Sequence, residues 1–168
     1  MVREKQRISL TVNGQQHHLN VAANTRLIDL LRNQLLMTGT KEGCAVGECG
    51  ACTIIKDGAP VCSCLALAVQ CDDSQIVTIE GLRSDPLGKM LMEEFLSTGG
   101  AQCGYCTPGM IMSAWALLKR YSDPTEDEVR DALEGNLCRC TGYQPIIEAI
   151  KRVSEFCVNP QRKIEQSH

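Results

Sequence analysis

Eight of the eleven cysteines fall into two groups of four, and their spacing limits what this chain can become more than any other feature. Cys44, Cys49 and Cys52 stand as C-x4-C-x2-C, and Cys64 follows after eleven intervening residues. Four thiolates at this spacing are suited to a [2Fe–2S] centre, which moves single electrons, so the chain reads as an electron carrier. The second group, Cys103-Gly-Tyr-Cys106 and Cys138-Arg-Cys140, offers four sulfurs to a soft metal. Its local chemistry admits both zinc and iron–sulfur. Cys62 complicates the first group: it lies two residues from Cys64 on an expected strand, so both thiols share a face and either could be the fourth ligand. The end of the strand, where the chain can bend toward the loop, favours Cys64.

The chain has 168 residues, enough for two units of about 80 residues each, a size at which a bound metal commonly contributes folding free energy. Apolar residues make up 43% and aromatic residues 4%, so the cores are expected to be aliphatic. An odd number of cysteines, without a secretory apolar segment in MVREKQRISL, argues against a disulfide framework and for a reducing, cytoplasmic location. No membrane span is expected, since the most apolar run, from Met110 to Leu118, is short and contains Ser113. A net charge of −3 gives no electrostatic reason to expect nucleic acid, and a protein partner is the expected neighbour.

Hydrophobic periodicity divides the chain near Gly81. Before it, Ile8, Leu10 and Val12 alternate, Asn13-Gly14 signals a hairpin, and Leu19 and Val21 resume the apolar face. Leu27, Leu30, Leu31 and Leu35 mark a helix with Asn24 as its expected N-cap. Thr53 to Lys56, the turn Asp57-Gly58 and Pro60 to Ser63 form a second expected hairpin, and Ile76 to Ile79 closes a sheet. This is a small α+β unit of the β-grasp kind. After Gly81 the period approaches 3.6. Leu87, Met90, Leu91 and Phe95 mark one helix, and Met110 to Arg120 a buried one, with Thr107 as N-cap and Pro108 at N1. Thr125-Glu-Asp-Glu128 is a capping box, and Ile146, Ala149, Ile150 and Val153 mark a last helix after Pro145. The second half is therefore expected to hold four helices. The expected domains are 1–81 and 82–157, with 158–168 as a flexible tail.

Three glycines among the ten residues from Gly43 to Cys52 suit a loop that wraps a compact cluster and turns its amides toward the sulfurs. Both cysteine pairs of the second group lie at helix boundaries, where a helix N-terminus adds positive potential. Cys71 and Cys157 fall on apolar runs and read as buried packing thiols, while His17 and His18 flank a hairpin turn and read as surface residues. Nothing is placed as a nucleophile or general base, so no catalytic residue is expected in the isolated chain.

Four blocks, Gly43-Cys44-x4-Cys49-Gly50-Ala51-Cys52-Thr53, Ser63-Cys64-Leu65, Gln102-Cys103-Gly104-Tyr105-Cys106-Thr107-Pro108-Gly109 and Gly135-Asn136-Leu137-Cys138-Arg139-Cys140-Thr141-Gly142-Tyr143, resemble the small iron–sulfur subunit of the xanthine dehydrogenase and aldehyde oxidoreductase family of molybdenum hydroxylases. The resemblance runs from about Ile8 to about Cys157. It implies a plant-type ferredoxin-like β-grasp domain followed by a four-helix domain, each with one [2Fe–2S] cluster. It selects Cys64 over Cys62 as a ligand, and Cys103, Cys106, Cys138 and Cys140 as the ligands of the second cluster. It further implies that substrate is hydroxylated at a molybdopterin centre on a large subunit, and that electrons pass through both clusters to FAD on a medium subunit. Gln102 and Cys140 would lie near the molybdopterin, and the first cluster would face the flavin. Two other identities fit the cysteine groups: a free-standing two-cluster ferredoxin, and a protein with one redox cluster and one structural zinc.

Overall fold

The computed structural model describes residues 5–159. Strands β1 (Lys5–Val12) and β2 (Gln15–Ala22) pair antiparallel around Asn13 and Gly14, both at positive φ as a two-residue hairpin turn requires. After a short helix come β3 (Thr53–Lys56), β4 (Ala59–Cys62) and β5 (Gln75–Val77), which complete a five-stranded sheet in the order β2-β1-β5-β3-β4. Among the described strands only the β1–β5 pair is parallel.

The helix α1 (Leu27–Asp29) runs on as a wider turn over Leu30–Gln34 and is not capped by Asn24. Its start is displaced because Thr25 and Leu27 bond instead to the 66–68 segment: Leu27 N–H donates to the Ala66 carbonyl, and Ala68 N–H donates to that of Thr25, both at 2.8 Å. Arg26, just before the helix, pairs with Asp29 and Glu42, which ties α1 to the entry of the first cysteine loop.

Helices α2 (Pro86–Ser97), α3 (Thr107–Arg120), α4 (Glu126–Leu133) and α5 (Gln144–Val158) follow the sheet. The capping box at Thr125 and Glu128 forms as the sequence indicates. Helix α3 begins one residue earlier than expected: Cys106, with helical φ and ψ, is the N-cap, and its carbonyl accepts from Met110 N–H at 3.0 Å. Thr107 is thus inside the first turn, and its hydroxyl is buried with no hydrogen-bond partner among the described residues.

Strand β3 joins the two halves. Because side chains alternate along a strand, Ile54 faces a core with Leu10, Leu27, Leu30 and Ile76, while its neighbour Ile55 faces a core with Leu82, Phe95, Met110 and Ile150. Both isoleucines are almost completely buried, so truncating either to alanine should cost roughly 2 to 5 kcal/mol. Cys71 is buried as expected, but Cys157 is exposed. The last turn of α5 runs past the core, and Val158 and Asn159 are exposed beside it. His18 is exposed and His17 half-buried. Of the expected tail, residues 160–168 lie outside the described residues, and Val158 belongs to α5.

Asp85 fixes the start of α2 against α3. Its Oδ1 accepts from Gly88 N–H at 2.9 Å and from Trp115 Nε1 at 2.9 Å, and Lys119 lies 3.3 Å from Oδ2. Burial pushes the carboxyl up, but the indole N–H, the Gly88 amide and Lys119 together hold it below its ordinary value. A depressed carboxyl stabilises the fold above its unfolded value of about 3.9, and that contribution disappears as the pH falls through the folded value. Asp85→Ala is expected to cost about 2 kcal/mol at neutral pH, seen as a lowered melting temperature, and less in acid. Equal losses at pH 7 and in strong acid would show that the carboxylate charge is irrelevant.

Candidate metal centres

The first cysteine loop lies between the turn after α1 and β3. Ala45, Gly47 and Gly50 all have positive φ, which rolls the backbone so that amides point inward. Cys44 Sγ consequently accepts from the N–H groups of Val46, Glu48 and Cys49 at 3.4, 3.3 and 3.4 Å. Those amides, Val46 first and then Cys49, lower the Cys44 thiol to about 6. The loop therefore stabilises negative charge on sulfur before any metal is considered.

Cys52 enters β3 and is buried, as is Cys64 beyond the end of β4. Burial pushes Cys52 up, and it pushes Cys64 up to about 11. The turn carrying Cys64 is locked by Ser63, whose Oγ donates to the Cys52 carbonyl at 2.7 Å. Cys49 lies against Cys44, and Cys64 against Cys52. Cys62 also touches Cys52 and directs its Sγ to the Gly47 carbonyl at 3.5 Å. Cys62, on β4, and Cys64, in the turn beyond it, both approach Cys52, with Cys64 the deeper of the two.

The second group assembles from the residues before α3 and those between α4 and α5. Cys106 and Cys138 are half-buried and lie side by side, while Cys103 and Cys140 are exposed and do likewise. Burial, then the Cys138 contact, pushes Cys106 up to about 12. Burial also acts on Cys138, but hydrogen bonds from Thr141, whose Oγ1 is 3.1 Å from Sγ, bring it below its ordinary value. Tyr143 braces this loop: Cys138 N–H donates to its hydroxyl at 3.0 Å, and the hydroxyl donates to the Asn136 carbonyl at 3.1 Å. Gln102 is exposed next to Cys103. Among the described residues no three or more His, Cys, Asp or Glu side chains form a site for a single ion.

The two loops touch each other, which the sequence did not reveal. Leu137 N–H donates to the Cys49 carbonyl at 2.9 Å, and Tyr105 OH donates to the Glu42 carbonyl at 2.6 Å. The buried side chain of Asn136 reaches the carbonyl of Gly50. Asn136 and Gly50 are 86 residues apart in sequence. The traces they leave in the sequence are a polar Asn136 beside Leu137 and Ser113 interrupting an apolar helix.

An α+β fold of ferredoxin-like form, with thiol-bearing loops set against backbone amides, defines an iron–sulfur protein. Residues 10–78 match the family described as 2Fe-2S iron-sulfur cluster binding domain, and residues 78–151 match the [2Fe-2S] binding domain. The nicotinate dehydrogenase small FeS subunit of Eubacterium barkeri is 49% identical over 152 residues, covering 90% of this chain and 97% of that protein. Quinoline 2-oxidoreductase from Pseudomonas putida 86 superimposes with a TM-score of 0.86 at 44% identity, over 92% of this chain and 97% of the matched chain. Aldehyde oxidoreductase from Desulfovibrio gigas superimposes with a TM-score of 0.85 at 41% identity, over 93% of this chain but 17% of the longer one. The chain belongs to the iron–sulfur small subunits of the xanthine dehydrogenase and aldehyde oxidoreductase family of molybdenum hydroxylases. It is an iron–sulfur electron-transfer component of an oxidoreductase. Among the described residues no helix is long and apolar enough to cross a membrane.

Proposed function

We propose that this chain carries two [2Fe–2S] clusters, one for each cysteine group, and relays electrons from a molybdopterin centre on a large subunit to FAD on a medium subunit. The observation that carries this reading is that each group brings its four thiols together in one place. Cys44, Cys49, Cys52 and Cys64 would hold one cluster, and Cys103, Cys106, Cys138 and Cys140 would hold the other. A [2Fe–2S] cluster, when bound, takes up and releases a single electron. The residues of the chain fix its surroundings: the Val46, Glu48 and Cys49 amides offset charge at Cys44, and Thr141 does so at Cys138.

The exposed edge formed by Gln102, Cys103 and Cys140 supports contact with the molybdopterin, since an electron donor must approach an uncovered ligand. Gln102 can both donate and accept hydrogen bonds there. The first cluster would then face the flavin. Residues 1–81 and 82–157 are the two cluster domains in this reading. Separate partner subunits would follow the nicotinate dehydrogenase small FeS subunit, and a fused partner the longer Desulfovibrio gigas chain. Thiols kept free for metal support a reducing, cytoplasmic setting.

Metal analysis of anaerobically purified protein, with electron paramagnetic resonance after dithionite reduction, tests the proposal. The expected result is about four irons per chain, no zinc and two distinct [2Fe–2S] signals. About two irons with one zinc would sink the relay. Native purification should bring down molybdenum and flavin together with the chain.

A further inference from the structure

A buried polar bridge joins the two cysteine loops through one side chain. Asn136, two residues before Cys138, donates from Nδ2 to the Gly50 carbonyl at 3.0 Å and to Thr53 Oγ1 at 3.3 Å. Its Oδ1 accepts from Ser113 Oγ, on α3, at 2.7 Å. Gly50 and Thr53 flank the Ala51-Cys52 step of the first loop, and Ser113 lies two turns along the helix that Cys106 caps. Burying an amide is unfavourable unless its polar atoms are paired, and both ends of this one are. All three bonds leave its own loop. Immediately beside them, the Leu137 amide holds the Cys49 carbonyl at 2.9 Å.

We propose that Asn136 is a positioning residue of the relay: it locks the second cluster's loop in one register against the first cluster's loop and so sets electron exchange between the clusters. The proposal rests on the two-cluster reading above. Two features distinguish it from a stability role alone. The side chain contacts the residue next to the ligand Cys49 instead of the hydrophobic cores, and close approach is enforced there from both sides. A Cβ on Gly50 would lie 2.3 Å from the Gly135 carbonyl, and one on Gly109 would lie 2.2 Å from the Gly50 carbonyl. Without the amide bridge the seam is held only by its outer bonds, from Leu137 and Tyr105, and the loops can shift, while a reaction that depends on placement loses up to about hundredfold for a displacement of about 1 Å.

Asn136→Asp tests this in the full chain, because the carboxylate keeps the size and still accepts from Ser113 but cannot donate to Gly50. The expected variant retains about four irons and both resonance signals. Its magnetic splitting between the reduced clusters is diminished, and exchange followed by rapid freezing is slower by about tenfold or more. A fully loaded variant with wild-type splitting and exchange, however much its melting temperature fell, would overturn the proposal and leave the two-cluster reading standing. Wild-type protein lacking the second [2Fe–2S] signal would overturn both. If Asn136→Asp does not load, Ser113→Ala serves instead: it removes the bond that orients the amide, and weakened splitting supports the proposal while unchanged splitting overturns it.

Discussion

Gly50→Ala is expected to lower stability by about 3 kcal/mol and to disturb both cysteine loops at once. Two costs coincide at this residue. Its φ of +64° lies in the left-handed region, where a Cβ is unfavourable. That Cβ would also meet the Gly135 carbonyl at 2.3 Å and Asn136 Nδ2 at 2.5 Å, atoms of the opposing loop that cannot rotate away together. Two other glycines separate the contributions. Gly58 has a φ of +85° and open space where its Cβ would be, so Gly58→Ala carries the backbone strain alone, about 1 kcal/mol. Gly109 lies within α3, where alanine suits a helix, yet its Cβ would meet the Gly50 carbonyl at 2.2 Å, so Gly109→Ala carries the overlap alone. Melting temperatures and iron content of the three variants check this ordering. If Gly50→Ala proved no worse than Gly58→Ala, the close seam between the loops would have no energetic importance.

The hairpin at Asn13-Gly14 and the capping box at Thr125 were legible because their geometry is encoded within four residues. The C-x4-C-x2-C run was legible for a related reason, since Cys44, Cys49 and Cys52 share one loop, whereas the second group draws on two segments, before α3 and between α4 and α5. Helix starts were less so. Asn24 looks like a cap, but pairing of 25–27 with 66–68 takes those backbone groups before a helix can use them. Thr107-Pro108 resembles a cap followed by proline, yet the backbone of Cys106 is already helical where its thiol meets Cys138. Cys157 continues an apolar stripe past the point where there is core left to cover. The seam itself is invisible locally, since Asn136 and Gly50 acquire meaning only when residues 86 apart in sequence are adjacent. A polar residue inside an apolar stretch, such as Ser113, marks that something must pair with it without naming the partner.

On the proposed two-cluster reading, Cys106→Ser is expected to remove the second cluster and spare the first, reducing iron from about four to about two per chain and erasing one of two resonance signals. Serine is a hard oxygen donor where the cluster needs a soft thiolate. The position is also hard to replace. Cys106 is half-buried at the cap of α3, so a solvent ligand cannot easily take the place of its sulfur, and Cys138 would lose the thiol it meets. Because burial pushes the Cys106 thiol up to about 12, its proton must leave as iron binds, and loading should weaken as the pH is lowered. Helix α3 packs on β3 through the core containing Ile55 and Met110, so loss of the metal should lower the melting temperature of the helical half and reach the sheet through that contact. Cys157→Ser, at an exposed thiol remote from this chemistry, should keep all the iron. The same assay decides the first group: Cys64→Ser should lose its cluster and Cys62→Ser retain it, whereas the reverse would make the strand-borne Cys62 the ligand and Cys64 only its buried neighbour.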